Sequence, residues 1–126
     1  MKDKSKKPLQ KKILLLEDEE DVRFMMSEML EFMDFHVDIA NNAEEAIKLS
    51  LKGKYDYYLI DIVMAGKSGL DALKEMKLDN PGKSVIVVSA NINVGNRETA
   101  KTLGVQKFLP KPIKMGDLES ALEKQL

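Results

Sequence analysis

Five short apolar segments punctuate the chain, at residues 13–16, 37–40, 57–60, 85–88 and 107–109. The first, third and fourth are the strongest, and they are continuously apolar instead of alternating. Strands covered on both faces of a parallel sheet read this way. The segments between them carry helical periodicity. In the first, Val22, Met25, Met26, Met29, Leu30 and Met33 follow the i, i+3, i+4, i+7 spacing of a helix packed on one face. The methionines are read mainly as core.

The second helix is expected to start at Asn42, with Glu45 three residues later completing a capping box. Ala43, Ala46, Ile47 and Leu51 then face inward, and Gly53 ends it. A third helix is predicted over residues 68–78, with Leu70, Leu73 and Met76 inward, before Asn80-Pro81-Gly82 breaks it. The fourth is short, over residues 97–103, and closed by Gly104. The fifth covers residues 115–125 with Leu118, Ala121 and Leu122 inward. Five successive βα units predict an open α/β fold: a doubly wound five-stranded parallel sheet with five helices on its two faces.

The chain has 126 residues, enough for one domain that buries its core without staples. It has no cysteine, which excludes a disulfide framework, a thiolate metal site and a Cys nucleophile. A formal net charge of −1 gives no global pull toward nucleic acid or a membrane surface, and neither is expected as a partner. No apolar run approaches the ~20 residues needed to span a bilayer. A cytoplasmic monomer is the expectation. Residues 1–11 form a lysine-rich segment without a signal-peptide core and are read as a basic, disordered tail. The lone histidine, His36, starts a weak strand away from the polar rim and is read as structural or exposed.

The chemistry gathers where the strands end, the edge at which open α/β sheets bind ligands. The first strand runs into Glu17 and Asp18, the third into Asp61, the fourth into Ser89, and the fifth is followed by Lys111. Each alone is ordinary; acids after a strand commonly serve only the next helix N-terminus. Together they carry a problem. Two carboxylates ~4 Å apart repel by about 4 kcal/mol at an effective dielectric of 20. A hard divalent cation relieves this, and few carboxylates with remaining waters or phosphate oxygens suit Mg²⁺. Asp61, alone at its strand end, is the natural carboxylate nucleophile for a phosphoryl group. Asp18 suits direct metal ligation and Glu17 ligation through water. Lys111 and Ser89 would serve the phosphoryl oxygens.

With these residues in hand, the chain resembles bacterial response-regulator receiver domains over residues 12–126. The matching segments are ILLLEDEEDVR, YDYYLIDIVMAGKSGLD, VIVVSA and KFLPKPI. The resemblance implies a flavodoxin-like strand order 2-1-3-4-5. It implies Asp61 as phospho-acceptor, with Glu17, Asp18, Asp61 and the Val63 carbonyl around Mg²⁺. Ser89 and Phe108 match the switch pair, Lys111 matches the site lysine, and the Lys111-Pro112 bond would be cis. Three positions depart or vary: Ala65 stands where the family usually has proline, and Val63 and Asn91 occupy variable positions near the path of an attacking water.

The implied function is phosphorelay signalling. A histidine kinase or a histidine phosphotransfer protein supplies the phosphoryl group, and a downstream target protein reads the result. Self-phosphorylation and slow autodephosphorylation are expected, not sustained enzymatic turnover. Phe24, Met25 and Phe32 extend apolar character beyond the core stripe of the first helix and are expected to meet the donor. The alternative is a pseudo-receiver that binds partners without phosphorylation. A flavodoxin-type cofactor binder is disfavoured because the loop at residues 17–21 is wholly acidic and would repel a phosphate. An Asp-nucleophile phosphatase usually has a second Asp two residues on, where Val63 stands. No further domain is expected in the chain.

Overall fold

The computed structural model describes residues 10–64, 66–90 and 93–122. The strands are β1 (Lys12–Leu16), β2 (His36–Ala40), β3 (Tyr57–Asp61), β4 (Val85–Ser89) and β5 (Lys107–Pro110). All pair in parallel, in the expected order β2-β1-β3-β4-β5. Their continuous apolar character has its predicted cause. Leu14, Leu16, Tyr58, Ile60, Val85 and Val87 fill one core, while Ile13, Leu15, Tyr57, Leu59, Ile86 and Val88 fill a second on the opposite face. Burying each aliphatic side chain contributes roughly 1.5–3 kcal/mol, so the sheet is held from both sides.

The helices are α1 (Glu20–Phe32), α2 (Ala43–Lys52), α3 (Gly69–Met76), α4 (Pro81–Ser84), α5 (Val94–Thr102) and α6 (Met115–Ala121). The first core takes Ala43 and Ala46 of α2, Leu70, Leu73 and Met76 of α3, and Ala100 of α5. The second takes Met26 and Leu30 of α1 and Leu118 of α6. Tyr57 Oη and Lys107 Nζ donate to the carbonyls of Leu122 and Ala121, at 3.1 and 2.7 Å, tying the end of α6 to the sheet.

Three local expectations are corrected. Six helices are described, not five: the Asn80-Pro81-Gly82 break itself holds the single turn α4. Pro81 sits at its start, where a missing N–H matters least, and the amides of Lys83 and Ser84 bond to the Asn80 carbonyl. Leu51 faces solvent at 74% exposure, because the last turn of α2 runs past the edge of the core. Helix α5 begins three residues early, since Asn93 accepts from the Asn96 amide and caps it. Asn42 caps α2 as predicted, accepting from the Glu45 amide at 2.9 Å, while Glu45 Oε1 accepts from the Asn41 amide. Ala65, Asn91, residues 1–9 and the predicted end of α6 at residues 123–125 lie outside the described residues. No described helix is long and apolar enough to cross a membrane.

Candidate functional site

Strand order reverses between β1 and β3, and the polar rim straddles that point. Glu17 follows β1 directly, Asp61 ends β3 and Ser89 ends β4. All three are buried, at 1%, 3% and 1% exposure. Asp18 is exposed beside them, and one carboxylate oxygen from each of Glu17, Asp18 and Asp61 lies within 4.8 Å of the others. Three acids meeting at this spacing fit a hard divalent cation.

Lys111 reaches into this cluster from the turn after β5. Its Nζ lies 2.8 Å from Asp61 Oδ2 and 2.8 Å from Glu17 Oε1. The first contact is a directed hydrogen bond; the second is an ion pair whose angle falls outside hydrogen-bonding geometry. Among the described residues, the buried Glu17 Oε1 therefore has no well-directed donor, which a cation or its water would supply. The remaining oxygens are engaged: the Glu19 amide donates to Glu17 Oε2 at 3.2 Å, and the Val63 amide to Asp61 Oδ1 at 2.9 Å. The Lys111 amide donates to the Ser89 carbonyl at 3.0 Å, which ties the lysine to the end of β4. The Lys111-Pro112 peptide is cis, as the resemblance implied.

Burial pushes the Glu17 carboxyl above its ordinary range; Lys111 opposes that shift, and Asp61 adds to it. Burial would lower the Lys111 ammonium, but its close contacts with the Asp61 and Glu17 carboxylates outweigh this and hold it above the usual lysine range. The cluster is thus a buried cation set between two acids, with a third acid at its mouth.

Gly69, first residue of α3, lies against the backbone of β3. A Cβ there would fall 2.1 Å from the Asp61 carbonyl oxygen. Only glycine lets α3 approach closely enough to abut the strand end that bears Asp61.

The other predicted residues fall in distinct places. Phe108, half-buried against the first core, lies with its ring centroid 4.6 Å from the guanidinium of Arg97. Val63 is exposed. Phe24, Met25 and Phe32 are exposed at 66%, 40% and 73%, outside the buried stripe of α1. Val22, Met25, Ala90, Lys111, Pro112 and Ile113 line an apolar cavity of about 260 Å³ between α1 and the turn after β5. His36 is far from the rim, exposed, and bonded to Asp38 at 3.0 Å.

Two residues escaped the sequence reading. Arg97 offers no signal in sequence, because its contact with Phe108 joins separate elements. Arg23 offers a faint one, a cation in the first turn of α1. Its Nη1 donates to the carbonyls of Glu17 and Asp18, at 3.1 and 3.2 Å.

Comparison with known proteins agrees with this geometry. The response regulator receiver domain family matches residues 13–123. The chain belongs to that family, the receivers of two-component signalling. The transcriptional regulatory protein CpxR of Escherichia coli is 34% identical over 101 residues, covering 80% of this chain and 43% of CpxR. The chain spans less than half the length of such curated relatives. Among solved structures, the N-terminal domain of a Wolinella succinogenes protein is 34% identical with a TM-score of 0.79, covering 89% of this chain and 90% of that one. Chemotaxis protein CheY4 of Vibrio cholerae, at 20% identity and a TM-score of 0.79, covers 90% of this chain and 97% of its own and shares the fold.

Proposed function

We propose that this receiver takes a phosphoryl group onto Asp61 in a Mg²⁺-assisted reaction and passes the signal through protein contacts. The observation that carries the reading is the placement of Lys111, 2.8 Å from both Asp61 and Glu17, within a trio of acids that meet at one point. An Asp61 oxygen attacks phosphorus as the donor's P–N or P–O bond breaks; the product is an acyl phosphate, and the leaving group departs with the bonding pair. Glu17, Asp18, Asp61 and the Val63 carbonyl would hold Mg²⁺. When bound, the ion offsets charge on the phosphoryl oxygens.

The chain's own residues do the rest. Lys111, charged through its two carboxylate contacts, supplies a second positive group to a phosphoryl oxygen. Ser89 offers its hydroxyl to another. Phe108, adjacent to Val87 in the pairing of β4 and β5, repacks when Ser89 moves. A histidine kinase or histidine phosphotransfer protein is the donor in this reading. Its support is Met25, exposed on α1 and lining the cavity beside Lys111, with Phe24 and Phe32 further exposed apolar side chains of the same helix. A downstream target protein then reads the altered surface.

The test is intact mass after exposure to acetyl phosphate. A phosphoryl adduct should form with Mg²⁺, not with chelator, and not on Asp61→Asn. Equal labelling of Asp61→Asn would remove Asp61 as acceptor, and equal labelling in chelator would remove the cation.

A further inference from the structure

Arg23 occupies the first turn of α1, where the helix dipole favours acids and disfavours a cation. The same turn carries Glu20 and Asp21. Nevertheless its side chain is folded back and half-buried, so that one nitrogen, Nη1, donates to both the Glu17 and Asp18 carbonyls. Two protons on that nitrogen serve two acceptors. The peptide units so joined are those of the two acids that meet Asp61. The Glu17 amide also reaches the Ala40 carbonyl at 3.3 Å, the Glu19 amide reaches Glu17 Oε2 at 3.2 Å, and the Glu19 carbonyl accepts from the Arg23 amide at 2.9 Å. The charged donor makes the arginine bonds the stronger restraint.

We propose that Arg23 is a positioning residue for the acidic rim: it fixes the main chain of residues 17 and 18 so that their carboxylates keep their spacing to Asp61 against mutual repulsion. This rests on the reading of the three acids as a divalent-cation site. Two effects of Arg23 oppose one another. Its charge repels an incoming cation, and its bonds hold the ligands ready. The charge belongs to a side chain partly in water and is screened. The bonds act directly on the ligands, where lost support typically lowers metal affinity by about 10–100-fold. Positioning therefore prevails.

The experiment is a Mg²⁺ titration of the full chain followed by NMR, with amide hydrogen exchange measured in its absence, on wild type, Arg23→Gln and Arg23→Lys. Arg23→Gln should weaken Mg²⁺ about ten-fold and speed exchange at the amides of residues 17–19 while leaving Ile86, in the middle of β4, unchanged. Arg23→Lys, still able to reach one carbonyl, should recover part of both readouts together. Unchanged or tighter binding by Arg23→Gln overturns the proposal, because the field then prevails. Equal loss of protection at Ile86 also overturns it, since Arg23 would then support the whole fold. So does affinity that recovers in Arg23→Lys without amide protection. A wild type that binds no Mg²⁺ removes the cation-site reading and this one with it. A wild type that binds, matched by Arg23→Gln, removes this one alone.

Discussion

Lys111 and Glu17, from opposite ends of the chain, meet at 2.8 Å with the carboxylate 1% exposed and the lysine 12%. The same ammonium stands 2.8 Å from Asp61. One cation thus offsets two buried acids. Removing it should be severe: breaking a buried pair from one side leaves uncompensated charge and costs about 3–5 kcal/mol. Lys111→Ala should lose about 3 kcal/mol in metal-free urea denaturation at neutral pH, the low end, because Asp18 opens the cluster to water. Mg²⁺ should restore more stability to the variant than to wild type. A metal-free loss under 1 kcal/mol would mean that the two contacts contribute no net stability.

The raised pKa of Glu17 gives a pH dependence with a definite sign. Between the ordinary glutamate value of 4.5 and the raised folded value, the native state holds a proton that the unfolded chain has released. Stability from this group is therefore full below that window and declines as pH rises through it. Other carboxylates also titrate there, so the comparison is with Glu17→Gln. In metal-free protein, the Tm of Glu17→Gln minus that of wild type should increase with pH across the window and level off above it. A difference that stays flat, or shrinks with pH, contradicts the burial-driven shift.

Arg97 covers the ring of Phe108, and such a cation–π contact at a partly exposed site is worth about 0.5–1 kcal/mol. Arg97→Ala should change the ratio of Phe108 packings roughly two- to five-fold, read from aromatic NMR shifts and line widths. Ser89→Ala should leave Mg²⁺ affinity near wild type yet blunt the response of Phe108 to a phosphoryl mimic. If Phe108 responds equally in wild type and Ser89→Ala, the proposed link from hydroxyl to ring is absent.

Met25 of α1 lines the cavity together with Lys111 and Ile113, and its neighbour Phe24 is exposed. Phe24→Ser and Met25→Ser should slow phosphoryl transfer from a protein donor by ten-fold or so while acetyl phosphate labels them at the wild-type rate. Rates that fall equally with both donors would point to damage at the site, and unchanged protein-donor rates would place docking elsewhere.

Most of the frame was legible in sequence because its causes are local or periodic. The continuously apolar strands required cover on both faces, and the helix spacing identified Met26, Leu30, Leu70, Leu73, Met76 and Leu118 as core. The acids, hydroxyl and lysine could be assigned to strand ends because a parallel sheet aligns those ends on one rim. The edges of elements were less legible. Leu51 satisfies the helical pattern, but whether the last turn of α2 still overlies the core depends on where α2 sits.

What tertiary structure alone decided is which groups share which partner. Sequence supplied Glu17, Asp18, Asp61 and Lys111, and elementary electrostatics required compensation among them. Only the packed strands set Lys111 equally near Glu17 and Asp61 while leaving one Glu17 oxygen without a directed donor. Which acceptors Arg23 takes, and that Arg97 lies on Phe108, follow only from the packed structure. A long, flexible side chain has many reachable acceptors, and its choice among them is made only when the surrounding backbone has been placed. Gly69 is the same lesson in reverse: its need for no side chain follows from the distance to the Asp61 carbonyl, which exists only once α3 is laid against β3.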